Sequence, residues 1–258
     1  MRYWLSSLKN WLLLKFKYQS TISRNHSNLM ERLSHELRTS LTGIIGYSEF
    51  VESSSTEPMV NFTAKIIRES SLGLARASNS FLDLHRLSSG QIKMVCSIFS
   101  IGKLVRDIVQ VHQKQALNQG GALVFTCPDE TFFTDMNADE QRVHQVVDAL
   151  IFNAVQFAGQ GKFIHVNIFL DEDEFDHKSL IILLDGPSDR EHMHLYQEFW
   201  SGEHYKFRLQ AGPGVELALA KELIHLLQGE ADYRIDSDER SRLQIRLPIQ
   251  YKKRKVNV

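Results

Sequence analysis

The chain has 258 residues, enough for one large or two modest domains, and its 43% hydrophobic and 24% charged residues exclude a disordered or fibrous protein. Lys and Arg total 30 against 31 for Asp and Glu, so no basic excess points to nucleic acid. Cys96 and Cys127 are too few for a disulfide framework and fit a reducing compartment, and no apolar run approaches the ~20 residues that cross a bilayer. The expectation is an intracellular protein, cytoplasmic or held at the inner face of a membrane.

Charge is unevenly placed along the chain. Arg2, Lys9, Lys15, Lys17 and Arg24 all precede the first acidic residue, Glu31, and are interleaved with Trp4, Leu8, Trp11, Leu12, Leu13 and Phe16. Residues 1–25 therefore read as an amphipathic segment. Peripheral membrane contact through residues 1–20 is one use for such a helix, and packing on the body or on a partner is the other.

Apolar residues at Met30, Leu33, Leu37, Leu41, Ile44 and Val51 recur at helical spacing from Asn28 to Val51. The polar run from Glu52 to Pro58 predicts a connection. A second helix follows with Phe62, Ile66, Ser70, Leu74, Ala77, Phe81, Leu84 and Leu87 on one stripe, and Gly90 is placed to stop it. One hairpin cannot bury both stripes, so the expected solution is a four-helix bundle made by two chains.

Past Gly90 the pattern changes to a mixture of helices and strands. Ile101 to Leu117, Asp139 to Phe157 and Gly214 to Leu227 read as helices. Leu123 to Phe125, Phe163 to Leu170, Leu180 to Leu184, Glu230 to Ile235 and Leu243 to Ile249 read as strands, with Asp171 to Glu174 as a solvated hairpin tip. The fold class is α+β: residues 26–95 form the helical hairpin and 96–258 an α/β sandwich.

His35 lies two residues from both Leu33 and Leu37, roughly 200° around the helix from the apolar stripe, and so on its exposed face. The segment from Ser34 to Leu41, with Gly43 to Glu49 and Phe81 to Leu87, resembles the phosphoacceptor domain of two-component sensor histidine kinases. The chemistry suits the residues, since a neutral imidazole is a competent nucleophile near neutral pH and Glu36 can bond the ring and take its proton. The resemblance implies that His35 carries the phosphoryl group. It also implies that Glu36 and Thr39 position water for attack on a partner's aspartyl phosphate. Ser40 replaces the proline usual in this box, which makes a helix kink less assured.

The remainder resembles the ATP-binding domain of the same family over about Phe99 to Ile249. The resemblance assigns Asn153 to Mg²⁺, Asp185 to the adenine amino group, and Gly212 and Gly214 to the loop that cradles the triphosphate. Tyr196 to Gly202 fits the aromatic box beside the nucleotide lid. Departures accompany each motif. Ala149 stands where a second asparagine is usual and Gln156 where the family carries a lysine. The Asp-x-Gly-x-Gly loop reads as shortened around Asp185, with Ser188 for a glycine. Glu216 replaces a third glycine at a helix start, where a carboxylate repels a triphosphate. His192, His194 and His204 lack the spaced fourth ligand that a zinc site wants.

These readings predict a dimeric transmitter, phosphorylated on His35, that exchanges phosphoryl with a response regulator receiver domain and binds ATP and Mg²⁺ weakly. Input would come through the N-terminal segment or a partner such as an upstream kinase. A fully active autokinase and a non-catalytic scaffold that docks a regulator are the alternatives.

Overall fold

The computed structural model describes residues 35–128, 134–157, 161–172, 178–187, 214–235, 240–248 and 250–253. The chain divides into two compact units, Met1–Ile92 and Lys93–Val258. The amphipathic segment at residues 1–25, the aromatic box, Gly212, Ser188 and the three histidines between 192 and 204 lie outside the described residues.

The first unit is a hairpin of α1, described over 35–54, and α2, Pro58–Ser88. Pro58 opens α2 at its first position, where a missing N–H costs nothing. Gly90, at φ 65°, closes it: Gln91 N–H donates to Arg86 O and Gly90 N–H to Leu87 O, a left-handed cap that suits glycine. The helices are tied by Arg68 Nε to Glu52 Oε2 at 2.9 Å and by Arg38 Nη2 to Asn79 Oδ1 at 2.7 Å. Small residues set the approach, because Ala64 and Ser71 of α2 are buried together with Leu82, opposite Leu41 and Ser48 of α1.

That packing face leaves much of the α2 stripe exposed, as the expectation of a two-chain bundle requires. Phe62, Ile66, Leu74 and Phe81 are exposed on the hairpin, as are Leu37, Ile44 and Val51 of α1. Periodicity finds an apolar stripe but does not tell whether it meets the neighbouring helix or another molecule. Here Ala64, Ser71 and Ser48 make the intra-hairpin contact together with Leu41 and Leu82, and most of the other large apolar residues face outward.

The second unit sets helices against a five-stranded sheet. Its elements are β1 Ser97–Ser100, α3 Ile101–Asn118, β2 Ala122–Thr126, β3 Thr134–Ala138, α4 Glu140–Phe157, β4 Phe163–Glu172, β5 Lys178–Pro187, α5 Gly214–Leu226, β6 Glu230–Ile235, β7 Arg240–Pro248 and β8 Gln250–Lys253. The main sheet has the order β2-β4-β5-β7-β6, antiparallel except for the parallel β2–β4 pair. A small antiparallel sheet joins β1, β3 and β8.

Alternation sorts the main sheet into two faces, and on β5 Ile181 of the second face is buried as well. Ile164, Val166 and Ile168 of β4, Leu180, Ile182 and Leu184 of β5, and Leu243, Ile245 and Leu247 of β7 are buried. Helices cover this side: α3 packs on β2 and α4, and α4 on β5 and α5. Val105, Ile108, Val143, Val147, Leu150 and Ile151 supply the helical part of the core. Each such side chain contributes roughly 1.5–3 kcal/mol on leaving water. The other face is mixed, with Asn167 and Phe169 of β4, Gln244 of β7, and an ion pair of Asp171 with Arg246 at 3.1 Å.

Local polar groups fix the helix starts and ends. Ser100 Oγ accepts from Lys103 N–H at the start of α3, and Asp139 caps α4 through Arg142 N–H at 3.1 Å. The second oxygen of Asp139 accepts from Val95 N–H at 2.9 Å, tying the entry of the unit to this helix. Between α3 and β2 the chain runs so close to the segment entering β4 that a Cβ on Gly121 would collide with the Lys162 carbonyl oxygen.

Three strands were absent from the sequence reading, namely β1, β3 and β8, and each is short. Asp171 and Glu172 belong to β4 and not to the hairpin tip. An acidic pair at a strand end has the same composition as a turn, and only its cross-strand partners place it.

Candidate functional site

Two groups of side chains carry the expected chemistry, one in each unit. On the hairpin, His35, Glu36 and Thr39 are all exposed on α1. Thr39 Oγ donates to the carbonyl oxygen of His35 at 2.9 Å, which fixes its rotamer one turn from the imidazole and leaves its lone pairs to accept. Ser40 bonds back to Glu36 O at 3.0 Å and Thr42 to Arg38 O at 2.8 Å. These are bonds of the kind that gently bend a helix, and α1 nonetheless continues through Ser40. Arg38, which spacing alone did not assign a task, anchors this turn to α2 through Asn79. The arrangement presents an imidazole, a carboxylate and a hydroxyl to solvent on one rigid helix.

In the second unit Asn153 is fully buried on α4. Its Nδ2 donates to Ala149 O at 2.6 Å, and its Oδ1 finds no hydrogen-bond partner among the described residues. A buried acceptor without a donor is unfavourable by about 1–3 kcal/mol, so this oxygen is poised for a donor or a hard cation. The donor type fits Mg²⁺. Around it the polar complement is thin. Ala149, one turn earlier, has no ligating atom, and Gln156 is exposed and uncharged.

Glu216 lies in the first turn of α5 and is itself buried, so its carboxylate occupies the positive end of that helix. Gly214 is the first residue of α5. Asp185, near the end of β5, stands in a cross-strand row with His165 of β4 and Arg242 of β7, and its Oδ2 lies 3.4 Å from Arg242 Nη2. This row is on the face of the sheet away from the buried apolar layer. The structure therefore brings Asn153 and α5 to the helical layer but puts Asp185 on the opposite side of the sheet.

A pair that sequence reading missed joins α3 to α4, with the buried His112 Nε2 2.7 Å from Asp148 Oδ1 and the imidazole tilted at 52° to the Phe152 ring, their centroids 5.9 Å apart. No local motif marks it, because its partners are far apart in the chain. Among the described residues no group of three or more His, Cys, Asp or Glu could hold a metal, and no helix is long and apolar enough to cross a membrane.

Residues 25–90 match the family described as the His Kinase A (phospho-acceptor) domain, and residues 138–251 match the histidine kinase-, DNA gyrase B- and HSP90-like ATPase family. The chain is 25% identical to the autoinducer 2 sensor kinase/phosphatase LuxQ of Vibrio cholerae, over 88% of its own length and 27% of the relative's. It is 27% identical to the aerobic respiration control sensor protein ArcB homolog of Haemophilus influenzae, over 80% of its own length and 62% of the relative's. The chain thus spans less than two thirds of either relative. Among solved structures it resembles full-length ShkA in complex with AMPPNP, with a TM-score of 0.63 and 19% identity, over 88% of this chain and 47% of that one. It also resembles the histidine kinase AdeS of Acinetobacter baumannii, with a TM-score of 0.55 and 17% identity, over 84% of this chain and 98% of that one. At such identities the solved structures establish a shared fold.

Proposed function

Because the chain belongs to the two-component sensor histidine kinase family, we propose that it works as a dimeric transmitter that exchanges a phosphoryl group between His35 and an aspartate of a response regulator receiver domain. The observation that carries this reading is the exposed set of His35, Glu36 and Thr39 on a helix held in place by Arg38 and Glu52. In the exchange a ring nitrogen attacks the phosphorus of the aspartyl phosphate. A nitrogen–phosphorus bond forms, the acyl oxygen–phosphorus bond breaks, and the aspartate leaves as a carboxylate. Glu36 takes up the ring proton, and Thr39 orients water for the competing hydrolysis.

The exposed Leu37, Ile44, Val51, Phe62, Ile66 and Leu74 support dimerisation, since an apolar surface of this kind on one hairpin is relieved by a second copy. Between α1 and α2 an apolar groove of about 470 Å³, bordered by Ile44, Val51, Met59 and Ile67, continues the same face.

ATP is the nucleotide that the ATPase-type domain implies, and we read its binding here as weakened. Ala149 and Gln156 remove a ligand and a charge, and Glu216 places a carboxylate at the helix start where a triphosphate would sit. Phosphoryl groups then reach His35 mainly from a regulator or an upstream kinase. The basic and aromatic residues 1–20 are read as a contact to an anionic membrane surface at its cytoplasmic side. A second reading, a full autokinase, is favoured by one observation, the Oδ1 of Asn153, which has no hydrogen-bond partner among the described residues and suits Mg²⁺.

The deciding experiment incubates the chain with labelled Mg-ATP and, separately, with a labelled phospho-receiver domain. The expected result is rapid exchange of label with the receiver and slow labelling from ATP. Rapid labelling of His35 from ATP would establish the autokinase, and no labelling from either source would leave a docking scaffold.

A further inference from the structure

The nucleotide reading rests on a strand-end motif in which an aspartate and the first glycine are separated by one residue. Residues i and i+2 of a strand share a face. Gly186 is buried, and a Cβ placed on it would lie 3.4 Å from Ile164 Cγ1, a side chain of the apolar layer. The residue that shares its face two positions earlier is Leu184, which is 5% exposed and lies between Val166 and Leu243 in one cross-strand row. Asp185 belongs to the opposite face, in a row with His165 and Arg242, and its carboxylate is 3.4 Å from the Arg242 guanidinium. The register is continuous along β4, β5 and β7, so no bulge intervenes to turn Asp185 inward. Read this way, Leu184-Asp185-Gly186-Pro187-Ser188 fits the motif without any missing residue.

We infer that Leu184, not Asp185, occupies the base-reading position of the pocket, so that this chain holds any nucleotide without recognising the amino group of its base. The inference rests on the proposed ATP-type pocket and adds a specific loss to it. A leucine offers no acceptor, and a base amino group set against it would lose its hydrogen bond to water without replacement. Asp185 has a different task as the structural partner of Arg242 on the outer face of the sheet.

The test is a ligand-observed NMR titration of the full chain with Mg-ATP and with Mg-ITP, whose base lacks the amino group. The parent is expected to bind both alike, within about threefold. Leu184→Asp is expected to gain about tenfold in ATP affinity and to prefer ATP over ITP, while Asp185→Ala leaves both affinities unchanged. Because a buried carboxylate can prevent folding, Leu184→Asn is run beside it, with ATP binding again expected to rise and a thermal melt reporting the fold. No gain in either Leu184 variant overturns the inference. So does a parent that prefers ATP about tenfold and loses that preference in Asp185→Ala. Tight binding of ATP and ITP alike would instead defeat the weakened-pocket reading and leave this assignment standing.

Discussion

On the helical hairpin the residues proposed to carry chemistry are exposed and the buried residues that hold the fold are few. In the α/β unit the helices and sheet share a dense apolar core, while the positions expected to touch a ligand carry alanine, glutamine, leucine and glutamate. The role proposed for His35 needs only a helix to present it, so it depends little on burial. A nucleotide pocket is built on the core, and its walls can remain after its contacts have changed. Fold and chemistry are therefore separable at these positions of the second unit, and Asn153, whose buried oxygen has no donor among the described residues, is the exception.

The contrast breaks most directly at His35. His35→Gln is expected to lower phosphoryl exchange with a receiver domain by at least about a thousandfold while leaving binding of the receiver intact, measured by label transfer beside a pull-down. A variant that still passes label as the parent does would remove the exposed hairpin site from the comparison.

The core of the second unit should respond as strongly in stability as the hairpin does in activity. Ile151 is fully buried on α4, and Ile151→Ala should destabilise by about 2–5 kcal/mol in urea unfolding. On the same helix, Gln156→Ala should stay within about 0.5 kcal/mol, because Gln156 is exposed. Equal effects would mean that Gln156 has a structural task and that fold and ligand positions are not separable.

Thr39→Ala should spare transfer to His35 and slow hydrolysis of the regulator's phosphate by about tenfold, since it removes one water-positioning hydroxyl. Phosphate release measured over time checks this. A matching loss in transfer would show that Thr39 supports the helix and not the water.

The smallest effect concerns a helix end. Gln228, at φ 59°, closes α5 in a left-handed conformation, with Gly229 N–H donating to Ile224 O. Gln228→Gly should stabilise by roughly 0.5–1 kcal/mol, read from the thermal midpoint. An unchanged midpoint would show that the local strain is relieved elsewhere.

Much of this was legible in the sequence, for identifiable reasons. The hairpin, its proline start and its glycine stop follow from periodicity and cap chemistry, and the box around His35 is continuous in the chain. The strands β1, β3 and β8 are too short for alternation to register, and they exist because they find one another. The stripe of α2 was legible as apolar and as more than one hairpin can bury, but nothing local says that Ala64, and not Phe62, meets the neighbouring helix. Asp185 shows the same limit in the pocket. A string of residues gives the motif, and only strand register decides which of two adjacent side chains faces inward.

The small sheet has a further consequence for how the second unit is made. Its central strand β3 pairs with β1 on one edge and with β8 on the other. As the chain leaves the ribosome, the β3 edge meant for Gln250–Lys253 stays open until almost all of the unit has emerged. During that interval it is an unmatched strand that another nascent chain could join. Synthesis rate and chaperone access, more than final stability, would then decide how much correctly closed protein a cell obtains.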